Sequence, residues 1–110
     1  MSFLCLIEIE LFFPNGGSLK GKRKEIVSLK EQLKRRFGAA VAETEHHELW
    51  QRATLTAALV GPGSGVVCDA ADKLERYVLA QFPQGVRIER GVLSAEEVLS
   101  ESARRANAQG

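Results

Sequence analysis

The stretch that decides the fold is FLCLIEIELFF, residues 3–13. Every second residue from Phe3 to Phe13 is apolar, whereas the residues between them include Glu8 and Glu10. This alternation predicts a strand with one dry face and one mixed face. Because such a strand buries only one side, we expect its sheet to carry helices on one face and to leave the other face open.

An amphipathic helix is predicted to follow over residues 19–37. Pro-Asn-Gly-Gly at 14–17 breaks the strand, and Ser18 is a residue type that caps helix starts. Gly38 suits a left-handed helix end, and three basic residues precede it where the helix dipole favours cations. Apolar side chains recur at steps of three and four. The expected buried stripe comprises Ile26, Leu29, Leu33 and Phe37.

The later segments complete a β-α-β-β-α-β order. We expect a second strand over 39–44, a third from about residue 50, a second helix that ends near residue 82 and a last strand over 86–93. With right-handed crossovers this order predicts a ferredoxin-like βαββαβ sandwich, an α+β fold with a four-stranded antiparallel sheet and two helices on one face.

One domain is expected over 1–93, with a C-terminal tail over 94–110. Ser94 and Glu97 have the spacing of a capping box, so the tail is predicted to begin with a short helix and then to become disordered. At 110 residues, with 45% apolar and 26% charged residues, the chain has the size and composition of one globular domain.

The two cysteines and the hydropathy of the sequence indicate the cellular compartment of the protein. Cys5 and Cys68 both have apolar neighbours, so buried free thiols are expected. No apolar run approaches the length of about 18 residues that a membrane span needs, and no signal-peptide pattern opens the chain. These features predict a cytoplasmic protein without a membrane partner.

Positive charge is concentrated in the first helix. Residues 18–37 hold eight of the fifteen Lys and Arg residues and only two acids, a balance of +6, whereas the rest of the chain is at −5. A nearly single-signed helix suggests contact with the phosphates of nucleic acid. A solvated surface helix explains the same residues. The candidate nucleic-acid or anion-binding residues are Ser18, Lys20, Lys22, Arg23, Lys24, Lys30 and Lys34.

Residues 16–22 also match the phosphate-loop pattern G-x-x-x-x-G-K. The next residue is Arg23, where such a loop needs Ser or Thr to hold Mg²⁺, and the predicted fold has no parallel sheet. We therefore interpret the match as accidental and expect no nucleotide hydrolysis. A local anion site at the helix start remains a hypothesis, and a sensor of a phosphate-bearing ligand would use the same turn.

No catalytic residue, metal or cofactor is expected. His46 and His47 lie in a polar turn with acidic neighbours, but adjacent turn residues rarely converge on one ion, and no third ligand stands at a zinc-site spacing. The sequence therefore predicts a binding protein rather than an enzyme.

The open sheet face lacks the chemistry of a base-stacking RNA module. RNA-binding sandwiches stack bases on aromatic side chains of this face, whereas here it is predicted to carry Glu8, Glu10, Thr54 and Thr56. Such a face suits another protein surface, including a second copy of the chain. The candidate interface residues are Leu4, Leu6, Glu8, Glu10, Trp50 and Arg52, and Arg52 is expected to pair with Glu8 or Glu10.

Three segments together resemble the YlxP-like proteins, a small bacterial family of unknown function. They are the opening strand, the Ser18-Leu19-Lys20-x-Lys22-Arg23 helix start, and the junction from Ala42-Glu43 to Leu49-Trp50-Gln51-Arg52-Ala53. The resemblance spans about residues 3–93 and implies a ferredoxin-like fold. It also implies an association with ribosomes or RNA, because genes of this family often lie near genes for translation initiation and ribosome maturation. It brings no catalytic role.

Two functions therefore follow from the sequence. The first is a non-enzymatic RNA- or ribosome-associated protein that binds through its basic first helix, as a homodimer. The alternative is a protein-interaction module that dimerises through its open sheet face, with the basic helix only a solvated surface.

Overall fold

The computed structural model of the chain describes residues 1–13, 18–83 and 85–109. The elements are β1 (Phe3–Phe12), α1 (Leu19–Phe37), β2 (Ala40–Glu45), β3 (Arg52–Gly61), α2 (Ser64–Gln81), β4 (Val86–Ser94) and α3 (Ala95–Gln109). The α+β class and the order of the first six elements are as predicted. The predicted break at 14–17, which includes the first glycines of the phosphate-loop pattern, lies outside the described residues.

The four strands form one antiparallel sheet in the order β2-β3-β1-β4. β1 is central and pairs with β3 and β4 along its length, so that Leu6 lies opposite both Ala58 and Gly91. β2 is an edge strand with an irregular register between Glu43 and Glu45. A sheet of this order with an added third helix differs somewhat from a plain ferredoxin-like sandwich.

The core lies on one face of the sheet only. Ile7, Ile9 and Leu11 of β1 are fully buried, together with Leu33 of α1 and Leu74 of α2. Each buried side chain of this size contributes about 1.5–3 kcal/mol through the hydrophobic effect. On the opposite face, Leu6, Val60 and Leu93 are 44%, 74% and 43% exposed. The one-sided burial predicted from residues 3–13 is confirmed.

Both ends of α1 are closed as predicted. The hydroxyl of Ser18 accepts a hydrogen bond from the Gly21 amide at 3.1 Å. Gly38 adopts the left-handed conformation with φ of 65°, and its amide donates to carbonyls of the last turn. The bounds of α1 match the expected 19–37, because the sequence signals at both ends are local.

An arginine joins α2 to the edge strand β4. The guanidinium of Arg90 donates to the carboxylate of Asp72 at 2.6 Å and to that of Glu75 at 2.5 Å. The hydrogen bond with Asp72 raises the pKa of Arg90. Arg90 lies two residues after Ile88 and thus on the same side of β4, so its two charge-assisted hydrogen bonds hold α2 against this strand.

α3 starts directly at the end of β4. Ser94 caps it, since its hydroxyl accepts from the Glu97 amide at 3.0 Å and donates to the Glu97 carboxylate. The amide of Ala95 donates to the Ser2 carbonyl at 2.8 Å, which anchors the helix start to the beginning of the chain. The capping signal is confirmed, and the helix continues to Gln109, further than the short helix expected from the sequence.

The two cysteines are free, and their environments differ. Cys5 is buried on β1, whereas Cys68 on α2 is only half-buried. Burial raises the pKa of the Cys5 thiol. The expectation of two buried thiols therefore holds for Cys5 alone.

We predict that at pH 8 one thiol per native chain reacts readily with a disulfide reagent and that the second reacts only after unfolding. Burial blocks access to Cys5, and its raised pKa lowers the thiolate fraction at this pH. Absorbance of the released thiolate, with and without denaturant, measures both. In Cys68→Ser the fast reaction should disappear, and its persistence would contradict this prediction.

Candidate nucleic-acid interface

Lys22 of α1 lies inside the protein. Its side chain is 3% exposed, and its ammonium donates to the carbonyl of His46 at 2.6 Å and to that of Leu49 at 2.5 Å. The carboxylate of Glu43 lies 3.5 Å from the same nitrogen. Lys22 thus satisfies the backbone between β2 and β3. It was among the predicted anion-binding residues, but in this position its charge is already neutralised within the fold.

A sequence signal for this burial exists. Lys22 stands four residues before Ile26, and Ile26 is followed by Leu29 and Leu33 at steps of three and four. Lys22 therefore lies on the buried stripe of α1, one turn nearer its start. The charge of the side chain concealed this, because lysine is rarely buried without partners, and its partners come from a distant turn.

The connection between β2 and β3 is shaped around this ammonium. His46 has a positive φ of 65°, and its carbonyl is one of the two closest acceptors of Lys22. A ring nitrogen of His47 lies 3.0 Å from the Glu43 carbonyl. In the described part of the chain, no group of three His, Cys, Asp or Glu side chains is placed to hold a metal ion.

One line of cations runs along the outside of α1. Lys20, Arg23, Val27, Lys30 and Lys34 follow one another at steps of three and four, so they share one side of the helix. We call the four cations of this line, Lys20, Arg23, Lys30 and Lys34, the basic flank. At 1.5 Å per residue it extends over about 21 Å.

The basic flank is uncompensated. Lys20, Arg23 and Lys34 are exposed, Lys30 is half-buried, and within residues 1–13, 18–83 and 85–109 none of them forms an ion pair. Of the two acids of α1, Glu25 lies on the opposite side, whereas Glu31 lies beside this line, three residues before Lys34, without forming an ion pair with it. Four positive charges therefore face solvent along one edge of the molecule, which favours an anionic partner.

The opposite side of α1 faces α2. The guanidinium of Arg36 lies 4.8 Å from the centre of the Tyr77 ring, and its Nε donates to Gln32 at 2.9 Å. Lys24 and Glu25 line a groove between the two helices with a volume of about 480 Å³. Lys24, a predicted anion-binding residue, thus lies at this groove rather than on the basic flank.

The other predicted site residues are placed as follows. Ser18 uses its hydroxyl to cap α1. Leu4, Leu6, Glu8 and Glu10 lie on the open side of β1, whereas Trp50 precedes β3 and is half-buried.

The expected pairing of Arg52 is confirmed for Glu10. Its guanidinium lies 3.1 Å from the Glu10 carboxylate and 5.5 Å from the centre of the Phe12 ring. Arg87 approaches the other oxygen of Glu10 at 3.8 Å. This end of the open face is therefore charged and internally paired.

A family described as "Protein of unknown function (DUF503)" matches residues 4–89. No curated protein sequence matches the chain. Helices long and apolar enough to cross a membrane are absent from the described residues.

Three solved structures resemble the chain to different degrees. The de novo designed protein Foldit4 has a TM-score of 0.58 at 10% identity and covers 86% of this chain and 98% of its own. The designed protein Ferredog-Diesel has a TM-score of 0.44 at 19% identity, covering 78% and 83%. SnoaB, a cofactor-independent oxygenase from Streptomyces nogalater, has a TM-score of 0.48 at 10% identity, covering 84% and 92%. At 10% identity the likeness to Foldit4 concerns the fold alone.

We predict that Lys22→Met lowers the free energy of unfolding by about 3 kcal/mol, because it leaves buried carbonyls and the Glu43 carboxylate without their cation. Urea titration followed by circular dichroism measures this. Lys20→Met removes a lysine from the exposed side of the same helix and should change stability by less than about 0.5 kcal/mol. Equal stabilities of the two variants would show that the ammonium of Lys22 does not support the fold.

Proposed function

This chain belongs to the DUF503 family of proteins of unknown function, and we propose that it is a non-enzymatic protein that binds structured RNA through the basic flank of α1. The observation that carries the proposal is the single line of four cations, none of which forms an ion pair with a carboxylate among the residues that the structure describes. Its length of about 21 Å suits a run of successive backbone phosphates. Lysine and arginine side chains contact phosphates without reading base identity.

The open sheet face argues for backbone contact rather than base stacking. The residues on its central strands include Glu8, Glu10 and Thr56, which repel phosphate or offer no ring. Thr54 of the same face is buried. RNA is therefore contacted by charge and shape at α1, on the helical side of the molecule.

The choice of ribosomal RNA as the target rests on the sequence resemblance to YlxP-like proteins. Ribosomes present dense, folded RNA phosphate surfaces, which fit a short rigid row of cations. We expect the protein to act in the cytoplasm as a ferredoxin-like sandwich that is extended by α3.

A second function is favoured by a separate observation. Leu6, Val60 and Leu93 are exposed together on the open sheet face, and apolar residues at the centre of a sheet usually meet a covering surface. We propose that this face is a protein contact and that the protein is a homodimer. The two functions use opposite sides of the sheet and are compatible.

We predict salt-dependent binding to a structured RNA hairpin. With four phosphate contacts, the logarithm of the association constant should fall against the logarithm of salt concentration with a slope of about −3 to −4. The double variant Arg23→Glu with Lys30→Glu reverses two flank charges. It should reduce the magnitude of this slope by about 2 and weaken binding by at least tenfold, on the order of the loss expected for two phosphate contacts, at low salt. Fluorescence anisotropy over a salt series measures both quantities.

The matched control reverses two exposed cations of α2, Lys73→Glu with Arg76→Glu, and thus makes the same change in net charge. This control should bind RNA nearly as well as the natural protein. Equal losses in the two double variants would mean that overall charge rather than the basic flank governs binding. Absence of binding at low salt would overturn the proposal.

Cosedimentation with ribosomal subunits tests the choice of target. The natural protein and the α2 control should pellet with subunits at low salt, whereas the flank variant should remain in the supernatant. Binding to the hairpin without cosedimentation would leave RNA contact in place and exclude the ribosome as the target.

A further inference from the structure

The apolar part of the open face forms two adjoining rows. In the first row, Leu4 lies opposite Val60 of β3 and opposite Leu93 of β4. In the second row, Leu6 lies between Ala58 and Gly91. Since three strands contribute, this is a continuous surface rather than scattered residues, and α1 and α2 both pack on the other side of the sheet.

A hollow at Gly91 interrupts the second row. A Cβ atom at Gly91 would meet no atom within 4 Å, so the space beside Leu6 is open. The hollow has a volume of about 440 Å³ and is lined on its apolar side by Leu6 and Leu93 and on its polar side by Glu89. Its shape and lining suit an aliphatic side chain supplied from outside.

Two carboxylates border this hollow, as does Arg90, whose guanidinium is already paired with Asp72 and Glu75. Glu8 and Glu89 are register partners on neighbouring strands, and both are exposed. Like charges directly opposite one another destabilise a sheet. In the described residues neither of them forms an ion pair, whereas Glu10 next to them holds two arginines. The face therefore offers a place for a cation from a partner.

α3 carries a complementary surface. Ala95, Leu99, Ser102 and Ala106 follow at steps of four, three and four, which makes a narrow stripe of mostly small residues around Leu99. Leu99 is 68% exposed. Arg105 lies beside this stripe, six residues after Leu99. Its side chain is 77% exposed, and its Nε lies 3.4 Å from the Glu101 carboxylate, an exposed pair of the kind that contributes little to stability. Along α3 an apolar group is followed by a cation. Along the sheet face the hollow is followed by two carboxylates, so the two surfaces match in order.

α3 is not in a position to cover its own sheet face. It begins at the residue after β4, without a loop in which the chain could turn back, and its packing is chiefly against β4. A second copy has no such restriction. In a two-fold arrangement each helix-on-sheet contact forms twice, which doubles the surface buried by one 15-residue helix.

We propose that two copies of this chain form a two-fold dimer in which α3 of each copy lies on the open sheet face of the other. Leu99 enters the hollow at Gly91, and Arg105 lies next to Glu8 and Glu89 of the partner copy. Six helical residues span about 9 Å, and the hollow and the carboxylate pair are one same-face step of about 7 Å apart along β1. The proposal rests on the dimer proposed above and specifies its occupant.

The test is the molar mass of the full chain in solution, by size-exclusion chromatography with light scattering over a range of concentrations. The natural protein should have twice the chain mass of 12.1 kDa. Leu99→Glu and Leu6→Glu should each shift it to the monomer mass. Leu79→Glu, which changes an exposed leucine of α2, is the matched control and should stay dimeric. Leu93→Glu replaces Leu6→Glu if circular dichroism shows that the latter is unfolded.

The outcomes separate this inference from the dimer itself. A natural protein that is monomeric at the highest concentration overturns both. A monomeric Leu6→Glu with a dimeric Leu99→Glu keeps the sheet-face dimer and overturns the placement of α3. If Leu99→Glu is monomeric and Leu6→Glu is dimeric, α3 makes some other contact, and this result also overturns the proposed placement of α3 on the sheet face.

Cross-linking tests the contact directly. Leu99→Cys and Gly91→Cys are made in separate chains that also carry Cys68→Ser, mixed, and mildly oxidised. Disulfide-linked pairs containing one chain of each kind, identified by mass spectrometry, should exceed pairs of identical chains. If only identical chains are linked, Leu99 does not reach the hollow and the proposed placement is wrong.

Discussion

The buried ammonium of Lys22 is the interaction on which much of the architecture depends. Removal of a charge from water costs several kcal/mol, and here the cost is offset by the carbonyls of His46 and Leu49 and by Glu43. These partners belong to β2 and to the turn that follows it. The start of α1 is therefore tied to the edge of the sheet, and the rotation of α1 about its own axis is set.

That rotation decides which charges reach solvent. With Lys22 and Ile26 inward, helical periodicity directs Lys20, Arg23, Lys30 and Lys34 away from α2. Arg36 on the other side contacts Tyr77 instead. The basic flank is thus a consequence of how one cation is buried. Of the eight basic residues between 18 and 37, Lys22 and Arg36 make contacts within the fold, whereas the four cations of the basic flank can contact a partner.

The one-sided sheet produces a second, independent surface. Because both helices pack on one face, the opposite face keeps Leu6, Val60 and Leu93 in contact with water. A dimer through this face places the helical layers on the outside. Two basic flanks would then be displayed at once, and two linked RNA contacts bind more tightly than one through effective concentration.

Local signals in the sequence predicted the elements well. The alternation in 3–13, the caps at Ser18 and Gly38 and the pairing of Arg52 with Glu10 all involve neighbours along the chain or across one strand pair. The environment of Lys22 was not predicted, because its acceptors lie 24 and 27 residues away. The extent of α3 was also missed, since Val98 and Leu99 are the only large apolar residues after Ser94 and predict little packing for a long helix.

By itself the sequence determined which side of each strand and helix is apolar, where the helices start, and that positive charge gathers in α1. Those properties depend on residue type and spacing, which are local. Only the tertiary structure decided that Lys22 is buried, that Lys24 lies at a groove, and that Glu8 and Glu89 stand opposite each other. Among the described residues, neither of these two carboxylates forms an ion pair. The burial and pairing of a charge depend on which distant segments meet it, and strand register and helix packing bring those segments together.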